Sequence, residues 1–138
     1  MRLKPEDLES RARGTLVEHL QIKFETVSHG RTVAHIELGQ HHLAPNGYLH
    51  GGTVVSLADS CCGYGALASL PEDAESFTTI ELKTNFLGTA REGTVYCEAT
   101  LAHGGRSTQV WNADVRDHDG KTVALFRCTQ MLLYPRGT

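Results

Sequence analysis

The chain has 138 residues, of which 40% are hydrophobic and 21% charged, and a formal net charge of −3. That length suits one domain, residues 1–138, with a full core. The acidic balance gives no basic surface for nucleic acid or an anionic membrane, and no uncharged apolar run reaches the roughly 18–20 residues of a membrane span.

Residues 1–7 lack the apolar stretch of a secretory signal, so a cytoplasmic location is expected. Residues 5–13 read as a short helix, with Pro5, Glu6 and Asp7 in its first turn and Gly14 as its stop. Its apolar content is thin (Leu8, Ala12), so residues 1–15 are expected to be a surface flap. Residues 20–25 alternate apolar and polar, as a half-buried strand does. Residues 28–31 form a turn, and residues 32–38 return with Ala34, Ile36 and Leu38 on one face, completing a β-hairpin.

A long connection follows, residues 39–52, with Pro45 and a Gly/His cluster at its end. Irregular loops of that length are uncommon and often functional. His41-His42 is read as solvated loop. Residues 53–70 form an apolar helix ended by Pro71 and buried on several sides. Gly63, Gly65, Ala66 and Ala68 leave room for close approach to a sheet. Four strand-like runs complete the chain, residues 77–87, 94–102, 107–117 and 122–134, separated by turn signals that include Asp117-His118-Asp119-Gly120. A hairpin, one long helix and four strands in a meander make an α+β architecture, with a mostly antiparallel six-stranded sheet curled around the helix.

The four cysteines do not suggest disulfides. Cys61 and Cys62 are adjacent inside the helix, and Cys97 and Cys128 lie inside strands, as buried thiols of a reducing compartment would. No Cys-x-x-Cys spacing is present, and no metal site is expected.

Two features carry chemistry. Asp59 is the one charged residue in the helix, flanked on its face by Ser56, Ser60 and Gly63. It is either an exposed aspartate on a small polar stripe or a carboxylate base in a partly apolar cleft. His50-Gly51-Gly52 opens the helix, where the first amides lack intrahelical partners and carry the positive end of the dipole. Such amides can polarise a carbonyl and hold its oxyanion. Gly51 and Asp59 are eight residues apart, roughly 12 Å along a helix axis. A base must sit within about 3–3.5 Å of the reacting atom. If both residues act on one small centre, Gly51 of one subunit must meet Asp59 of another, and a two-fold dimer would hold two equivalent sites.

From Asn46-Gly47-Tyr48-Leu49-His50-Gly51-Gly52 through Asp59, the chain resembles the hotdog-fold thioesterases, specifically their PaaI-like (phenylacetate-pathway) branch. Residues 79–87, 105–108 and 121–126 share the likeness, which spans roughly residues 20–134. The resemblance implies a long helix wrapped by an antiparallel sheet, and dimers that pair into tetramers. It implies hydrolysis of acyl-CoA thioesters without metal or cofactor. In those terms Gly51 supplies the helix N-terminal amide, and Asp59 of the partner subunit is base or nucleophile. Thr79 matches a Ser/Thr that orients water, although strand parity puts it on the face of Glu81. His50 is expected to hold the helix start by bonding loop backbone, with proton transfer as its other reading. Arg91 and Arg106, in turns, are candidates for the CoA phosphates, or simply surface arginines.

One position departs from the family pattern. Many members carry Asn or Gln seven residues before the motif glycine, where this chain has Ala44; Asn46, two residues on, is the candidate substitute. Ala44 keeps a second reading open, a non-catalytic acyl-thioester binding protein of the same fold. A hotdog hydratase or dehydratase ranks lower, because those enzymes place a His and a carboxylate differently.

Overall fold

The structure is a computed structural model and describes residues 4–136. Helix α1 (Pro5–Ala12) and a short helix α2 (Leu16–His19) precede strands β1 (Lys23–Ser28) and β2 (Arg31–Glu37). A 3-10 turn (Gln40–His42) leads to the long helix α3 (Gly51–Ala68), and strands β3 (Ser76–Phe86), β4 (Thr94–Gly104), β5 (Thr108–Arg116) and β6 (Thr122–Leu133) follow. The six strands form one sheet in the order β1-β2-β4-β5-β6-β3, with every adjacent pair antiparallel.

Only β4, β5 and β6 form a meander. The expected four-strand meander fails at β3, which pairs with β6 at the far edge of the sheet. Residues 87–93 therefore cross over rather than turn back. Leu49 N–H bonds Ala90 O at 2.9 Å and Leu38 N–H bonds Gly93 O at 2.9 Å, so this connection is laid across the loop before α3. Glycines around a seven-residue break suit a tight hairpin and a crossover equally well, and only the tertiary partners choose between them.

The inward residues of the sheet meet α3. Val54, Leu57, Ala58, Cys61, Cys62 and Ala66 pack with Val95, Cys97, Trp111, Val115, Phe126 and Cys128. All four cysteines are buried free thiols, as expected. At Gly65 the helix lies close against the sheet: a methyl group there would lie 2.6 Å from the Trp111 ring and 2.7 Å from Thr32 Oγ1.

Three expectations about the first fifty residues need correction. The N-terminal helix is not a loose flap, because Leu8 is fully buried and Ala12 nearly so; one leucine in the right place anchors a helix that composition makes look superficial. Residues 1–3 of the expected flap lie outside the described residues. Leu20 and Ile22 are buried but precede the strand, since Gln21 sits at φ 56° and β1 starts at Lys23. His42 is fully buried, not solvated, whereas its neighbour His41 is exposed. The His42 ring is pinned at both nitrogens: Nδ1 accepts from Gly39 N–H at 2.9 Å and Nε2 donates to Leu20 O at 2.6 Å. That arrangement requires a neutral ring, and burial lowers its pKa. Its carbonyl takes Thr53 Oγ1–H at 2.9 Å and His50 N–H at 3.1 Å, so His42 fixes the start of α3.

Candidate functional site

The helix start is built from the loop upward. Ala44 N–H bonds Tyr48 O at 2.7 Å and Gly47 N–H bonds Ala44 O at 2.9 Å, closing a turn around Asn46 with Gly47 at φ 86°. Asn46 is exposed and spends its carbonyl within that turn, accepting from Tyr48 N–H at 3.1 Å. His50 is the N-cap of α3, and its Nδ1 accepts from Gly52 N–H at 2.7 Å. This is the backbone-holding role read for it. The bond consumes the Gly52 amide. The Gly51 amide has no acceptor among the described residues, and the Phe86 ring lies beside it, 3.2 Å from where a Gly51 side chain would begin. Of the two motif glycines, Gly51 is the one with a free donor at the positive end of the helix.

Asp59 lies two turns further on. It is half-buried, and its Oδ1 is shielded from solvent with no hydrogen-bond partner among the described residues. Loss of water raises its pKa. The carboxylate borders a groove of about 300 Å³ formed with Val17, Ser60, Gly63, Tyr64, Leu67, Phe77 and Thr79. The walls are mostly apolar, so the reading as a solvated surface aspartate does not hold. Tyr64 stacks edge-on against Phe24 with ring centroids 4.8 Å apart.

Thr79 reaches this groove because of a bulge. The β3–β6 register shifts between Thr79 and Glu81, which leaves Ile80 unpaired and exposed. Before the bulge Phe77 and Thr79 share the sheet face of their partners Leu132 and Gln130; after it Leu82, Thr84 and Phe86 share that of Cys128, Phe126 and Ala124, with Leu82 and Phe86 left exposed at the sheet edge. Strict alternation would have placed Thr79 with Glu81. The extra residue puts them on opposite faces.

The structure therefore brings Asp59 and Thr79 together beside the middle of α3, and groups Gly51, His50 and Asn46 at its start. Arg91 joins that second group, its guanidinium 5.0 Å from the Tyr48 ring centroid. Arg106 does not. It lies beyond the helix C-terminus, paired to Asp73 at 3.0 Å and stacked over Tyr134, whose hydroxyl donates to the Arg106 carbonyl. The two arginines occupy opposite ends of α3 and do not converge within one subunit. Among the described residues, no three His, Cys, Asp or Glu side chains converge as metal ligands, and no helix is long and apolar enough to cross a membrane.

Val17 and Gln130 escaped the sequence reading. Val17 belongs to α2, a helix too short to leave a periodic signal. Gln130 did leave one: it takes an inward position between Cys128 and Leu132, where a polar residue needs a specific partner.

A single helix sheathed by an antiparallel sheet, with a carboxylate at mid-helix and a free amide at its start, defines the hotdog class of thioester-cleaving proteins. Residues 46–124 match the family model described as the thioesterase superfamily. The chain is 35% identical over 114 residues to a 1,4-dihydroxy-2-naphthoyl-CoA hydrolase of Listeria monocytogenes, covering 83% of this chain and 92% of that one. It is 30% identical over 130 residues to the Escherichia coli enzyme of the same description, covering 93% of each. A thioesterase structure from Haemophilus influenzae superposes with a TM-score of 0.91 at 26% identity, covering 97% of this chain and 93% of that one. The chain belongs to the hotdog-fold thioesterase superfamily and is a thioester hydrolase.

Proposed function

We propose that the chain hydrolyses an acyl-CoA thioester to the free acid and CoA, as a homodimer with two composite sites. The observation that carries this reading is Asp59: a half-buried carboxylate with an unpartnered oxygen, at the rim of an apolar groove suited to an acyl group. Burial raises its pKa, which makes it a better base than a solvated aspartate. The free Gly51 N–H supplies the second half of the chemistry.

In this mechanism Asp59 of the partner subunit takes a proton from a water molecule, whose oxygen attacks the thioester carbonyl carbon. The carbonyl oxygen becomes an oxyanion held by Gly51 N–H. The C–S bond breaks as the intermediate collapses, and the CoA sulfur leaves with the proton carried by Asp59. Arg91, at the Gly51 end of the helix beside Tyr48, is the candidate to meet CoA phosphate. The 1,4-dihydroxy-2-naphthoyl-CoA hydrolases among the relatives make an aromatic acyl group the first to try; the Tyr64 and Phe77 rings in the groove suit one.

Release of free thiol from a panel of aromatic and aliphatic acyl-CoAs tests the reading. Wild type is expected to turn over at least one of them, and Asp59→Asn to lose on the order of 10³-fold or more in kcat. Undiminished turnover by Asp59→Asn would sink the mechanism. Saturable acyl-CoA binding with no thiol release from any substrate would support the binding-protein reading that Ala44 keeps open.

A further inference from the structure

Base catalysis needs the attacking water held as well as deprotonated. Thr79 and Asp59 border the same groove, and Thr79 lies directly opposite Gln130 across the β3–β6 ladder. The Thr79 hydroxyl donates to Gln130 Oε1 at 2.6 Å. Gln130 is fully buried, and its Nε2 donates to Cys128 Sγ at 3.4 Å, which keeps the amide oxygen turned toward Thr79. A hydroxyl has one proton and two lone pairs. With its proton held by Gln130, Thr79 can offer the groove only an acceptor. Asp59 Oδ1 correspondingly receives no proton from Thr79, although both side chains face the same space.

We propose that Gln130 is a positioning residue that turns the Thr79 hydroxyl into a fixed acceptor for the attacking water. One water proton then points at Asp59 and the other at Thr79, which leaves an oxygen lone pair directed at the thioester carbonyl. Gln130 also keeps Thr79 from donating to Asp59 itself, a bond that would weaken the base and compete with the water. The other titratable groups nearby are Tyr64, in the groove, and Cys62, behind Asp59 on the same helix; burial raises the pKa of Tyr64, and the Cys128 contact and burial raise that of Cys62.

This inference rests on the hydrolase reading of the groove. Its test is a double-mutant cycle on thiol release, with Gln130→Met, Thr79→Val and the pair, and Gln130→Glu and Thr79→Ser as conservative variants. Gln130→Met and Thr79→Val are each expected to lower kcat on the order of 10–100-fold with little change in KM. The pair should be no worse than Thr79→Val alone. Gln130→Glu, which keeps the acceptor oxygen, and Thr79→Ser, which keeps the hydroxyl, should each retain most of the turnover. The acid limb of the kcat profile should move to lower pH in Gln130→Met, where Thr79 is free to donate to Asp59, and should return toward its wild-type position when Thr79→Val is added. Additive losses in the pair, an unmoved acid limb, or equal damage from Gln130→Met and Gln130→Glu tracking a fall in Tm would overturn the inference and leave the hydrolase reading standing. If Gln130→Met does not fold, full activity in Thr79→Val overturns it, and loss in Thr79→Val with retention in Gln130→Glu and Thr79→Ser supports it. Absence of thiol release from wild type overturns both.

Discussion

Burial sets Asp59 against the stability of its own fold. The carboxylate is partly removed from water, no donor among the described residues compensates its Oδ1, and its pKa rises as a result. A carboxyl whose folded pKa lies above its unfolded one binds its proton more tightly when folded. Ionising it then opposes folding, so stability is lost as pH rises from the unfolded value of 3.8 through the raised folded value. Asp59→Asn removes that ionisation and keeps the shape. The variant is expected to melt at a higher temperature than wild type at pH 7, with the gap closing as pH falls below 3.8. Paired calorimetric scans between pH 3 and pH 8 check this; a variant that melts lower at neutral pH would show that Asp59 has a stabilising partner. Loss of turnover together with a gain in Tm is the expected signature of a residue kept for chemistry.

At the scale of elements, α3 and the sheet fit each other through Gly65. A methyl group there would press into Trp111, which is fully buried and held by a 2.8 Å bond from its indole N–H to Gln109 Oε1. Alanine improves helix propensity by about 1 kcal/mol, but forcing a methyl into a closed core opposes this by about 1–3 kcal/mol. Gly65→Ala is therefore expected to destabilise, with a lower midpoint in urea and an unchanged slope, against the sign that propensity alone gives. The close approach at this glycine was legible in the sequence, as were the long helix, the hairpin and the antiparallel strands, because each leaves a periodicity of its own. The crossover of residues 87–93 was not, since a glycine-rich break does not say which edge the chain goes to. Nor was the bulge at Ile80: an extra residue inverts the parity of everything beyond it without altering composition, and it decides whether Thr79 faces Asp59 or solvent. His42 was misread because a histidine pair next to a loop looks solvated until both ring nitrogens are seen to be bonded. The position of Asp59 on the helix was plain from the chain; the groove it borders was not, since Val17 and Phe77 come from elements far apart in sequence.

At the scale of the molecule, the described chain holds half of each reaction at opposite ends of an interval it cannot close. Gly51 and Asp59 are separated by roughly 12 Å of rigid helix, so neither a loop shift nor a side-chain rotation unites them. The fold also leaves β3 at the sheet edge with a single neighbour, β6, and with Ile80, Leu82 and Phe86 exposed. A long apolar edge strand is a surface that natural proteins cover. Phe86, next to Gly51, is 54% exposed, while Phe77, at the other end of the strand, lines the groove of Asp59. Two-fold pairing along this edge would bring the Gly51 end of one subunit to the Asp59 end of the other. Complementation tests that geometry. Gly51→Pro removes the amide donor at a position where proline suits a helix, and His50 at ψ 132° already has the extended conformation that proline requires before it. Gly51→Pro and Asp59→Asn homodimers are each expected to be nearly inactive. In a co-expressed mixture half of the dimers are mixed, and each mixed dimer has one site with both native residues, so activity should return to about a quarter of wild type. A mixture as inactive as its parents would mean that each subunit works alone, and the composite site would have to be abandoned.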